Sequence, residues 1–335
     1  MDLLTQGLLG GALALSAAPR KESRLAAVIG FAAALVADAD VLIDVADDSL
    51  LQIEYHRHFS HALVFIPLGA LLAAAVLWPL LRRQLGFATI YLYALLGYAT
   101  AGVLDACTSY GTHLLWPFSE TRVAWSIIAI IDPVFTLLLL SGLVLGWRRR
   151  RPGPARTALL LASSYLLFGL WQHHEALEAA QALAERRGHT AERLLVKPTI
   201  ANLVLWRSIY SSGDRFYVDA IRIGPGPERI YPGVSAPAFD LERDLPGLPT
   251  NSLQALDIER FTALSEGFVA ADPRRDGVLI DIRYSMLPTS IAPMWGLDVK
   301  VASATQHARF ELYRDRPDNY RELFIAMLLG RELPE

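Results

Sequence analysis

The chain has 335 residues, 53% of them hydrophobic, and a formal net charge of −3. That apolar content exceeds what a soluble globular chain usually carries, and points to a membrane protein. The weakly negative balance excludes the basic footprint of a nucleic-acid binder, so no nucleic-acid partner is expected. The single cysteine, Cys107, excludes an intrachain disulfide framework and a cysteine-rich zinc site.

Charge is unevenly spread, with 23 Asp, Glu, Lys and Arg residues in 1–171 and 42 in 172–335. The expected organisation is therefore an all-α, multi-pass transmembrane domain over 1–171, followed by a soluble α+β domain over 172–335. The opening stretch "MDLLTQGLLGGALALSAAP" lacks a positively charged start and reads as a retained hydrophobic segment. A membrane-crossing helix needs about 20 mainly apolar residues. Segments 25–45, 62–81, 86–106 and 127–147 qualify, and the shorter segments 3–19 and 156–171 raise the expected count to about six spans.

Basic residues alternate between loops. Arg20, Lys21 and Arg24 follow the first segment, Arg82 and Arg83 the third, and Arg148 to Arg151 with Arg156 the fifth. That asymmetry predicts a cytoplasmic face for these loops, and an outward face for the opposite loops and for everything after residue 172. Trp116, Trp125, Trp147 and Trp171 read as an interfacial aromatic belt. In the polar half, 175–187 and 317–330 have helical periodicity. "DRFYVDAIRI" and "GVLIDIRYSML" read as strands, and "PGPERIYPGVSAPAFD" and "RDLPGLPT" as Pro- and Gly-rich loops.

"LVADADVLID" ends the second segment with Asp38, Asp40 and Asp44, and carboxylates near lipid are costly unless something positive lies among them. Asp38 and Asp40 diverge on a regular helix, so their convergence requires the helix to unwind. "YHRHFSH" brings His56, Arg57, His58 and His61 to the start of the third segment. Asp105, with Thr108 and Ser109, closes the fourth, and Asp132 precedes Pro133 at the fifth. All fall at one face. Mixed carboxylate and imidazole donors suit Zn²⁺, Mn²⁺ or Fe²⁺, and water on such an ion becomes a nucleophile near neutral pH. Arg57 offers a planar fork to phosphate oxygens. His58 reads as a bystander, Asp47 and Asp48 as a solvated loop, and Asp132 as a structural or supporting residue.

The stretches "MDLLTQGLLGGALA", "DADVLID", "HRHFSHAL", "LDACTSYGTHLLWPFS" and "IIDPVF" together resemble the YdjM-type bacterial inner-membrane proteins. That family is described as LexA-binding, membrane-associated metal-dependent hydrolases, and is distantly similar to zinc-dependent phospholipase C and P1-type nucleases. The resemblance covers residues 1–147. It implies a multi-pass inner-membrane hydrolase acting on phosphate esters or phospholipid-like substrates, with the bilayer as its surroundings. Asp38 and Asp40 match the paired aspartates, His56 and His61 the outer histidines of an HRGxTH-like element, and Asp105 the aspartate of an HxxxD element. These five are the expected ligands of a divalent metal, zinc foremost, with Arg57 and Asp105 as catalytic residues. Gln6 and Ala101 stand where the family carries histidines, and His58 where it carries glycine, with His58 or His113 as candidates to compensate. A non-catalytic membrane scaffold that retains the metal site is therefore one alternative, and an ion-coupled transporter another.

Overall fold

The computed structural model describes residues 1–43, 47–301 and 305–333, so the expectation for Asp44 lies outside the described residues. Two units are distinguished. One comprises 1–43, 55–171 and 200–203; the other comprises 47–54, 172–199 and the described part of 204–335. Two short segments, 47–54 and 200–203, thus cross the division expected at residue 171.

The first unit is helical. Helix α1 (Leu3–Ala17) is capped by Asp2, whose carboxylate accepts from the Thr5 amide. Helix α2 (Ser23–Val36) tightens at Ala37 into a 3-10 helix, Ala37–Leu42. After α3 (Leu51–Tyr55), which belongs to the second unit up to residue 54, come 3-10 turns at Phe59–His61 and Leu63–Phe65, then α4 (Ile66–Leu81) and α5 (Phe87–Ala106). Helices α6 (Pro133–Arg149) and α7 (Gly153–Arg186) follow, and α7 joins the segment expected at 156–171 to the helix expected at 175–187.

Among the described residues, three helices are long and apolar enough to cross a membrane: Ser23–Leu42, Leu63–Leu81 and Phe87–Ala106. Helix α1 is a shorter apolar helix. The segment expected to begin at 127 becomes helical only at Pro133. There the Asp132 carboxylate accepts from the Phe135 amide and the Tyr165 hydroxyl, and so sets the helix start.

Small residues let these helices approach closely, the packing mode favoured where lipid removes the hydrophobic drive between helices. A Cβ on Gly97 of α5 would lie 2.2 Å from the Gly30 carbonyl oxygen of α2, and one on Gly30 would lie 2.4 Å from the Gly10 carbonyl oxygen of α1. Alanines 14, 26, 33, 70, 73, 94 and 101 fill the same core.

The second unit is α+β. An antiparallel sheet of order β1-β2-β3-β4 is built from Arg193–Pro198, Leu205–Ser212, Arg215–Arg222 and Arg229–Pro237. A second antiparallel sheet, β5-β6-β7-β8, comprises Val269–Ala271, Val278–Asp281, Trp295–Asp298 and Arg309–Leu312. Val278 and Ile280 pack against Ile209, Phe216 and Val218 of the first sheet, whereas Leu279 packs with Ile258 and Phe261 of α9 (Leu253–Leu264). A strand buried on both faces reads as a continuous apolar run, which is why "GVLIDI" shows little alternation. The short helix α8 (Leu241–Asp244) precedes α9, and α10 (Tyr320–Leu328) packs Met327 against Leu205 and Ala220.

One expectation is corrected here. "PGPERIYPGVSAPAFD" contains a strand, β4, and not only loop. Pro232 is tolerated because β4 is an edge strand, where a missing ladder donor does little harm.

Gly97→Ala is expected to lower stability in detergent by about 1–3 kcal/mol, read as a lower temperature for loss of the monodisperse species. Gly153→Ala, whose Cβ would meet nothing within 4 Å, is expected to leave that temperature unchanged.

Candidate metal centre

The end of α2 decides where its carboxylates go. Once the chain tightens at Ala37, Asp38 and Asp40 are both buried and both reach His61. His61 Nε2 lies 3.5 Å from Asp38 Oδ1 and 3.2 Å from Asp105 Oδ2, while its Nδ1 lies 3.3 Å from Asp40 Oδ2. The unwinding that the sequence requires therefore takes the form of a 3-10 turn, and the two aspartates flank one ring.

His61 is held from α5. A Cβ on Gly102 would lie 2.2 Å from the His61 carbonyl oxygen, so only glycine lets that backbone settle there. The Tyr98 hydroxyl donates to the Ser60 carbonyl at 2.7 Å. The Ser60 hydroxyl donates to Asp40 Oδ2 at 2.8 Å, which leaves its oxygen to accept from His61 Nδ1 at 3.0 Å. That arrangement puts a proton on Nδ1 and turns Nε2 toward Asp38 and Asp105.

Asp40 is saturated in other ways too. Its Oδ1 lies 3.0 Å from His56 Nδ1, and its Oδ2 accepts the Arg57 amide at 2.9 Å. Arg57 adopts a left-handed backbone, φ 60°, fixed by that bond and by its carbonyl, which accepts from the His113 amide. The Arg57 guanidinium is buried. Its Nε lies 3.1 Å from Asp105 Oδ2, its Nη1 donates to Thr108 Oγ1 at 3.1 Å, and its Cζ lies 5.2 Å from the Tyr110 ring centre. Asp105 Oδ1 also pairs with the Met1 amino group.

The electrostatics follow from this packing. Burial pulls the His61 pKa down, but the surrounding Asp105, Asp38 and Asp40 outweigh it and hold His61 up at about 10. His113 shifts the opposite way: burial first, then Arg122 and His58, bring it down to about 4. Among the described residues, Asp38 Oδ2 is a buried atom without a hydrogen-bond partner, while His61 Nε2 and Asp105 Oδ2 are held only by ion pairs, with each other at 3.2 Å and from Arg57 Nε to Asp105 Oδ2 at 3.1 Å. One donor atom from each of Asp38, His61 and Asp105 lies within 4.8 Å of the others.

These distances suit a metal. Ligands at 2.0–2.2 Å around a tetrahedral ion sit about 3.4 Å from one another, close to the 3.2 and 3.5 Å separations at His61 Nε2. A second group, Asp38, Asp40 and His56, shares Asp38 with the first. The His58, His113 and Glu120 group is less suited, because His113 Nε2 already accepts from Arg122 Nε at 3.1 Å and Glu120 is exposed. Asp48 and Asp257, grouped with His307 in the second unit, already hold the Arg260 guanidinium, each at 2.9 Å.

The structure thus brings all six singled-out residues together: Asp38, Asp40, His56, Arg57, His61 and Asp105. Asp132 lies apart as the cap of α6. Sequence reasoning missed Ser60, Tyr98 and Arg122. Ser60 lies inside the "HRHFSH" motif and was open to notice there. Arg122 is placed by tertiary contacts alone, with its Cζ 5.3 Å from the Tyr110 ring centre and its Nη2 donating to the His56 carbonyl at 3.4 Å.

A family model described as "YdjM inner membrane protein" matches residues 1–176. A Bacillus subtilis (strain 168) protein described as "Uncharacterized protein YfhP" is 25% identical over 183 residues, which are 54% of this chain and 54% of that protein. The chain therefore spans about half the length of this relative. No solved structure matches the chain.

Removing Arg57 leaves Asp105 buried beside fewer positive charges, so Arg57→Ala is expected to destabilise the membrane unit by about 3–5 kcal/mol in thermal or denaturant unfolding. For His113 the folded pKa lies below the unfolded value, so the unfolded chain binds the extra proton between pH 6.5 and about 4. Stability from this group is full above that window and falls as pH drops through it. His113→Asn is expected to lose less thermal stability than the parent between pH 6.5 and 4.

Proposed function

The chain belongs to the YdjM inner membrane protein family, and on that premise we propose that its membrane unit is a metal-dependent hydrolase of phosphate esters, phospholipid-like ones foremost. The observation that carries this reading is the convergence of Asp38 and Asp105, both buried, on Nε2 of His61 at 3.5 and 3.2 Å. Two carboxylates that meet one imidazole nitrogen in a low-dielectric interior need a proton or a cation between them.

Asp38, His61 and Asp105 would hold the ion, zinc foremost with manganese or iron as alternatives, and His56 with Asp40 would complete its surroundings. Such an ion supplies a Lewis acid and makes water acidic enough to lose a proton near neutral pH. Asp40 and Ser60 fix the tautomer and tilt of His61, the role that carboxylate and hydroxyl groups play behind a ligating imidazole. Arg57 keeps Asp105 in place and adds a fixed positive charge. Arg122, half-buried on Tyr110, would add a second fixed positive charge beside a bound phosphate.

We read α1, α6 and residues 156–171 as three further spans, giving six. The arginine-rich loops are then cytoplasmic, and residues from 172 onward are periplasmic. A non-catalytic scaffold that keeps the ion is the second reading. It draws on Gln6, whose buried Oε1 has no partner and which stands where the resembled family carries a histidine.

Elemental analysis of the detergent-purified protein is expected to find stoichiometric zinc, manganese or iron, lost in His61→Ala together with hydrolysis of a chromogenic phosphodiester. Metal-free protein that resists loading contradicts both readings. Bound metal without hydrolysis selects the scaffold.

A further inference from the structure

The opposite end of α1 carries a second feature, roughly 22 Å away along the helix axis. There the C-terminus of α1, the α6–α7 turn and the start of α7 border an open pocket of about 740 Å³, lined by Arg20, Arg149, Arg151 and Arg156 together with Pro19 and Pro152. No acidic residue lines it. Among the described residues these four arginines form no ion pair, and nearby Glu22 is engaged by Tyr93 and Lys21.

The turn is shaped to produce this. Arg150 adopts a left-handed backbone, φ 50°, a conformation disfavoured for a residue with a side chain. By turning there, the chain places Arg149 and Arg151 on the pocket while Arg148 and Arg150 do not line it. Arg156 is tethered by its Nε, which donates to the Ser16 carbonyl at 2.9 Å, so its fork is oriented in advance. Helix α7 also starts at this wall, at Gly153, and adds the positive end of its dipole.

We propose that this pocket binds the headgroup phosphate of an anionic glycerophospholipid. Four arginines line one opening, each able to offer a planar fork to phosphate oxygens, and basic pockets between membrane helices are suited to anionic headgroups. The apolar side chains of α6 and α7, with Val144, Leu145, Leu160 and Leu161 exposed, offer a surface for the acyl chains. The claim is independent of the metal centre.

The test uses the full chain in detergent, titrated with phosphatidylglycerol and, separately, phosphatidylcholine of the same acyl chains, with bound lipid counted by native mass spectrometry. Replacing Arg20, Arg149, Arg151 and Arg156 together by glutamine is expected to weaken phosphatidylglycerol binding by at least about tenfold. The control Arg148→Gln/Arg150→Gln, which removes neighbouring charges that do not line the pocket, is expected to change it by less than about twofold. Should the fourfold variant fail to fold, Arg151→Gln alone is expected to weaken binding about fivefold. Equal losses in lining and control variants, or phosphatidylcholine held as tightly as phosphatidylglycerol, would overturn the proposal. Displacement of the lipid by millimolar inorganic phosphate would overturn it in favour of free phosphate as the ligand.

Discussion

The structure of the membrane unit depends on one electrostatic problem, the convergence of Asp38, Asp40 and Asp105 on a single imidazole at the end of an apolar helix bundle. Three carboxylates cannot share a dry site without compensating charge and donors. Arg57 and the Met1 amino group balance Asp105, and the Arg57 amide and Ser60 occupy Asp40. Between His61 Nε2, Asp38 and Asp105 the carboxylates meet the imidazole at 3.5 and 3.2 Å, and the proposed cation would lie there.

Backbone packing makes this arrangement possible. The His61 carbonyl rests where Gly102 has no side chain, and Tyr98, lying over Gly69, reaches the Ser60 carbonyl. Further along, Gly10, Gly30 and Gly97 bring α1, α2 and α5 into contact through their backbones. The same economy of side-chain volume governs both the bundle and the site, so rigidity at His61 derives from the helices around it. Side chains placed on such supports would need little rearrangement to receive the proposed ion.

Much of this was legible in the sequence, and the reasons differ by element. Hydrophobic length marked the helices at 23–42, 63–81 and 87–106 because lipid demands a long apolar run. The start of α6 was misjudged because "SIIAII" is apolar without being helical, and the Asp132 cap outweighs hydropathy. Strand β4 was hidden by its prolines, which an edge position tolerates. Charge was the better guide to the site: aspartates and histidines at the ends of apolar segments have few reasons to be there, and Asp38, His61 and Asp105 do meet. Spacing could not show that Asp40 is saturated by Ser60, His56 and the Arg57 amide, nor that Arg122 joins Arg57 on Tyr110. Those are facts of tertiary approach.

X-ray absorption at the zinc edge of the zinc-loaded, detergent-purified protein tests the central claim most directly. A first shell of nitrogen and oxygen scatterers at about 2.0–2.2 Å, with outer-shell features of an imidazole, is the predicted result. A spectrum indistinguishable from hydrated zinc, with no imidazole signature, would contradict a cation seated between His61 and its two carboxylates.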